Sequence, residues 1–162
     1  MKIFENYLNE NGNCELKCVR EASGGYNSRH RFCNPNEIAL LLDTIFDASR
    51  LAEEHSWLIC MDTKCHIIGL FELAKGTVDS CFMNPRELFI RALLAGSKLC
   101  VISHNHPSGN PQPSDIDIQI TKKIKEAGDI IGIQLSDHII IGHEYHNFFT
   151  HFSFVRDSSF LK

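Results

Sequence analysis

The sequence predicts an α/β domain built on a single mixed sheet with flanking helices, and three observations lead there. Helix-start devices recur: Asn34-Pro35-Asn36-Glu37 and Asn84-Pro85-Arg86-Glu87 each place a capping Asn, a Pro at the first helical position and an acidic residue in the first turn. Short apolar runs of strand length alternate with these amphipathic stretches. The chain has 162 residues, 43% apolar and 22% charged, which suits one core and leaves little for a second.

Taken in order, a polar start is followed by a short strand over Glu15 to Glu21 and a Gly-, Ser-, Asn- and Arg-containing loop over Ser23 to Cys33. Residues 1–34 are therefore read as an N-terminal strand and loop extension, and 35–162 as the domain proper. Ile38, Leu41, Leu42, Ile45 and Ala52 recur at helical spacing, so the first helix is expected to end near Glu54. Ser56 to Met61 and His66 to Glu72 suit a hairpin turning at Asp62-Thr63-Lys64-Cys65. A second helix runs from the Asn84 cap through Ala95 and closes at Gly96. Lys98 to Ser103 is a strand, His104 to Pro113 a Pro- and Gly-rich loop, and Ser114 caps a third helix that Gly128 should stop. Two last strands, near Ile131 to Leu135 and His138 to Ile141, precede an aromatic tail with Tyr145, Phe148, Phe149, Phe152 and Phe154.

Composition excludes several classes. With 16 Lys+Arg against 20 Asp+Glu, a formal charge of -4 gives no general attraction to phosphates, which disfavours a DNA-coating protein. Met1 to Glu10 builds no signal-peptide core, and runs such as Ile38 to Leu42 and Ile139 to Ile141 are too short to span a bilayer. A cytoplasmic protein with no membrane association is the expectation. The seven Cys are odd in number and irregularly spaced, which fits reduced thiols serving mostly as small core residues. Cys14, Cys18, His30 and Cys33 could be drawn as a structural zinc site, but in a strand Cys14 and Cys18 would stand about 13 Å apart.

The chemistry concentrates in His104 to Asp117. Side chains alternate across a strand, so His104 and His106 point to one side and can reach one ion, while Asn105 points to the other and can hold backbone. In the helix capped by Ser114, Ile116, Ile120, Ile124 and Ala127 form an apolar stripe, and Asp117 lies roughly 65° from its centre. A carboxylate bordering a buried stripe needs a partner or a metal. Two neutral imidazoles and one carboxylate leave an open position, the pattern of a catalytic rather than a structural zinc. The plainer alternative is that Ser114 and Asp117 form only a helix cap. His138, in an apolar strand, is read as a core histidine in preference to a partner of the metal site.

These residues resemble a known motif. His104-x-His106-Pro107 with Ser114 and Asp117 is similar to the metal motif of the JAB/MPN (JAMM) metalloprotease superfamily, and His-Asn-His-Pro-Ser-Gly at 104–109 resembles its RadC-like branch. Leu73-Ala74-Lys75-Gly76-Thr77, Asn84-Pro85-Arg86-Glu87, Glu126-Ala127-Gly128, Ser136 to Gly142 and Phe152-Ser153-Phe154 also look like that branch. The resemblance implies a JAB/MPN domain with cytidine-deaminase-like layering. It implies Zn2+ held by His104, His106 and Asp117, with Ser114 stabilising the reacting oxygen and a glutamate serving as general base and then proton donor. Glu54, just before the strand at Ser56, fits the glutamate's place, with Glu72 as its competitor. The implied activity is hydrolysis of a peptide or isopeptide bond by metal-activated water, on a protein or peptide substrate.

Two other roles stay open on the same resemblance: a DNA repair factor or metal-dependent nuclease, and a non-catalytic MPN binding module. Longer members carry an N-terminal region similar to helix-hairpin-helix modules, and this sequence has only strand and loop ahead of the first helix. Arg29 and Arg31 near Tyr26 form a small basic, aromatic loop that could touch nucleic acid or protein.

Overall fold

A computed structural model of the protein describes residues 1–22, 30–76, 83–144 and 148–158. Its elements are β1 (Lys2–Leu8), β2 (Cys14–Glu21), α1 (Pro35–Phe46), β3 (His55–Met61), β4 (Ile67–Lys75), α2 (Pro85–Leu94), β5 (Leu99–Asn105), α3 (Asp115–Ile131), β6 (Gln134–Glu144) and β7 (Phe148–Ser153). The strands form one mixed seven-stranded sheet in the order β2-β1-β4-β3-β5-β6-β7. Tyr26, Arg29, Thr77, Tyr145 and His146 lie outside the described residues. Among those described, no helix is long and apolar enough to cross a membrane.

The sheet is covered on both faces because its central strands are apolar on both. Every residue of β3 is buried, and alternation sends Trp57, Ile59 and Met61 one way and Leu58 and Cys60 the other. On the first face Ile38, Leu41 and Leu42 of α1 meet Trp57, Ile59, Val101 and Ile139. On the second, Leu88 and Phe89 of α2 and Ile124 of α3 meet Leu58, Phe71, Cys100 and Ile102. Burial of each such Leu or Ile contributes about 1.5–3 kcal/mol relative to exposure. β5 and β6 run parallel, joined through α3. The chain therefore leaves the carboxyl end of β5 into a loop and returns through a helix N-terminus, the usual place for a ligand site in such sheets.

Several boundaries differ from the sequence expectations, each for a local reason. The first helix ends at Phe46, not near Glu54, because Asp47 turns left-handed (φ 55) and Asp43 Oδ1 takes the Ser49 amide at 2.8 Å. A short 3-10 turn, Ala48–Arg50, follows, and Glu54 sits in the extended approach to β3. The polar start holds β1, hydrogen-bonded to β2 around a turn in which Asn9 Oδ1 accepts the Asn11 and Asn13 amides. Gly128 does not stop α3. A Cβ there would lie 2.4 Å from the Ile133 carbonyl, so the glycine allows close approach, and the helix ends at Gly132 (φ 81). The two expected strands after it are one: a register shift between Cys100 and Val101 sets Leu135 and Asp137 opposite consecutive residues, which leaves Ser136 as a bulge. The aromatic tail is largely β7, paired antiparallel with β6.

The cysteines are less buried than expected. Cys60 and Cys100 are in the core, where burial pushes both thiols up, that of Cys60 to about 12, but Cys14, Cys18 and Cys33 are exposed. Cys14 and Cys18 lie on the outermost strand and His30 faces Glu37 at 3.3 Å. Among the described residues these four form no group able to hold a metal ion.

Candidate metal centre

The site grows from the end of β5. His104 lies in the ladder between Ser56 of β3 and Ile140 of β6, and the His106 amide extends it by donating to the Ile141 carbonyl at 2.8 Å. The turn after His106 docks on β6, where the His143 amide donates to the Gly109 carbonyl at 2.9 Å. This approach needs two glycines: Gly109 has φ +84, and a Cβ at Gly142 would fall 2.1 Å from the Gly109 oxygen.

The returning helix supplies the carboxylate. Ser114 N and Oγ both donate to Asp117 Oδ2, at 2.7 and 2.6 Å, and Asp117 N donates to Ser114 Oγ. Ser114 and Asp117 thus do form a capping box. Asp117 also reaches both histidines, with Oδ1 3.2 Å from His104 Nε2 and Oδ2 3.5 Å from His106 Nε2. Burial alone would raise its carboxyl, but hydrogen bonds from His104, His106 and Ser114 hold it well below the usual carboxylate range. Burial would likewise lower His106, yet Asp117 and the Asn110 carbonyl raise it.

Glu54 completes the group. It is 9% exposed, and its Oε1 is 3.7 Å from His104 Nε2. Donor atoms of Glu54, His104 and His106 all lie within 4.8 Å of one another, so the three could hold a metal ion. Glu53 is exposed. Glu72 lies elsewhere, its Oε1 2.5 Å from His55 Nδ1. Asn105 fixes the Glu54 segment, accepting the His55 amide at 2.7 Å and donating to the Glu53 carbonyl at 3.1 Å. Asn105→Ala leaves that buried amide without a partner, and a loss of about 1–3 kcal/mol is expected in denaturant unfolding.

His138 is the core histidine expected, and it also touches the site. It is fully buried, with Nε2 2.9 Å from His104 Nδ1 and Nδ1 2.6 Å from Thr121 Oγ1. Donor and acceptor roles follow by elimination. Thr121 donates its one proton to the Asp117 carbonyl at 2.5 Å, so its oxygen must accept from His138 Nδ1–H. Burial holds His138 well below its ordinary pKa and therefore neutral, which makes its Nε2 the acceptor for His104 Nδ1–H. In the neutral ring His104 Nε2 then carries the lone pair. The neutral ring of His106 does the same, since its Nδ1 can only donate to the Asn110 carbonyl at 2.8 Å. Two Nε2 atoms 2.9 Å apart, flanked by Asp117 and Glu54 and each carrying a lone pair when its ring is neutral, fit a cation between them that takes the place of a proton.

An α/β sandwich with two histidines, two carboxylates and a capping serine gathered at the carboxyl end of a parallel strand is a JAB-type domain. More narrowly, the chain belongs to the RadC-like JAB domain family, whose profile matches residues 32–157. A UPF0758 protein of Clostridium botulinum (strain Eklund 17B) is 45% identical over 112 residues, covering 69% of this chain and 48% of that protein. A UPF0758 protein of Clostridium kluyveri is 38% identical over 113 residues, 70% of this chain and 49% of its own. One of Desulforudis audaxviator is 37% identical over 122 residues, covering 70% and 53%. The chain thus spans about half the length of the curated relatives it matches.

Proposed function

We propose that this chain is a zinc-dependent hydrolase that cleaves a peptide or isopeptide bond in a protein or peptide substrate. The observation that carries the reading is the pair of Nε2 atoms 2.9 Å apart beside two buried carboxylates. His104, His106 and Asp117 would hold the ion: nitrogen and carboxylate donors suit zinc, and Ser114 fixes Asp117 through two hydrogen bonds. A zinc ion so held would lower the pKa of water toward about 7 and polarise a carbonyl.

The remaining work falls to the chain's own groups. Glu54 stands beside the histidine pair, its Oε1 3.7 Å from His104 Nε2, and its two carboxylate oxygens suit it to accept a proton from the attacking water and pass it to the leaving amine. The Ser114 hydroxyl can turn toward the reacting oxygen, because the Ser114 backbone amide still holds Asp117 at 2.7 Å.

Purified protein is expected to carry one zinc per chain by elemental analysis and to hydrolyse isopeptide-linked fluorogenic substrates, with activity abolished by a chelator and restored by zinc. Protein without metal, inert before and after zinc addition, would defeat the reading. Zinc affinity should also fall as pH falls: His106 is raised above its ordinary pKa by Asp117 and the Asn110 carbonyl, so the metal-free ring keeps its proton to higher pH, and zinc must displace it. Below that pKa the loss is about tenfold per pH unit for one displaced proton, readable by competition with a chromophoric chelator.

A further inference from the structure

A second concave site opens at the other side of β3. β1 and β4 run parallel but share a single register pair, Ile3 with Leu70, although β1 continues to Leu8 and β4 to Lys75. Beyond that pair the strands part, and a cleft of about 640 Å3 lies between them, lined by Glu5 and Asn6 of β1, by the end of β4, and by Trp57. β1 is hydrogen-bonded to β2 along its other side through Leu8. From Glu5 to Leu8 its cleft-side edge has no ladder partner among the described residues, and such an edge is a template for another strand.

Two orphaned polar atoms lie in the residues lining this cleft. Asn6 Oδ1 and Trp57 Nε1 are buried and have no hydrogen-bond partner among the described residues, a condition native folds seldom leave without a reason. One is an acceptor and the other a donor, the complement of the N–H and C=O of a peptide backbone. Charge narrows the ligand further. Arg20, Lys75 and Arg91 line the cleft against Glu5 and Glu72; with Glu72 engaged by His55 at 2.5 Å and Arg91 by Glu87 at 3.6 Å, Arg20 and Lys75 stand against Glu5, so the balance favours acidic side chains.

We propose that the β1–β4 cleft is a strand-acceptor site, in which an extended acidic peptide adds to the edge of β1 over Glu5–Leu8 and engages Trp57 and Asn6 through its backbone. The site stands on the geometry of the sheet and shares no residue with the His104–His106 group, so its failure would leave the metal reading untouched, and the reverse holds too.

Trp57 is the only tryptophan in the chain, so its indole N–H gives one unambiguous signal. The 15N-labelled full chain would be titrated with pools of end-blocked heptapeptides that are acidic, neutral or basic. Acidic pools are expected to move the indole N–H resonance downfield and to slow hydrogen exchange at amides of β1. Trp57→Phe should weaken binding about five- to tenfold. Asn6→Leu, on a half-buried strand position, should weaken it comparably and keeps the test informative if the core substitution does not fold. The proposal is overturned if no pool moves the indole signal at millimolar concentration, if both variants bind as the parent does, or if acetate alone reproduces the acidic-peptide shift, which would make the cleft an anion site.

Discussion

Glu54→Gln is expected to keep the fold and the zinc and to lose hydrolysis by a factor of about 10²–10⁴, the range for removing a general acid–base group. The amide matches the carboxylate in size, so the buried space is still filled. The segment is held by backbone contacts that the substitution does not touch: Gly76 N donates to the Glu54 carbonyl at 2.8 Å, and Asn105 grips the residues on either side. What changes is proton chemistry, because an amide cannot take a proton from water near neutral pH. Glu72→Gln is the control. Its carboxylate is engaged with His55 at 2.5 Å, outside the histidine group, and turnover should stay within a few-fold. Steady-state kcat measured beside zinc content on both variants decides the matter, and the reverse pattern would exchange the roles of the two glutamates.

How much of this was legible in the sequence depended on whether the signal was local. Caps were: Asn34, Asn84 and Ser114 each accept the backbone amide that their sequence pattern promises. The placing of Asp117 shows a reading whose premise was partly wrong. The apolar stripe was centred with Ile116, yet Ile116 is 74% exposed, and the buried side of α3 is Asp117, Thr121, Ile124 and Gly128. The helix is turned so that polar Asp117 and Thr121 face inward, which hydrophobicity could not announce because their partners, His104 and His138, come from β5 and β6. The end of α1 failed for another reason. Leu51 and Ala52 prolong the apolar pattern, but Asp43 captures the Ser49 amide and Asp47 reverses the chain. β1 could have been found, since Asn9 to Asn13 with Gly12 (φ 76) is a turn between two strand-forming runs.

His138 was the least legible residue and carries the second large effect. It lies 34 residues from His104 in sequence, and their contact depends on the parallel register of β5 with β6, in which His138 stands opposite Ile102 and His104 opposite Ile140. His138→Leu removes the acceptor for His104 Nδ1–H and the donor to Thr121 in a fully buried place. His104 is then free to carry its proton on Nε2, which blocks the nitrogen meant for the ion. Zinc affinity is expected to fall about 10- to 100-fold, and the metal-free protein to lose about 1–3 kcal/mol for the unpaired buried donor. His138→Gln separates these consequences from mere packing. Its carbonyl oxygen can accept from His104 and its amide can donate to Thr121, so it should recover most of the zinc affinity while still lacking the ring that stacks on Phe154. If the Leu variant binds zinc as tightly as the parent while its metal-free form unfolds earlier, His138 serves the core alone and the tautomer of His104 is fixed by some other group.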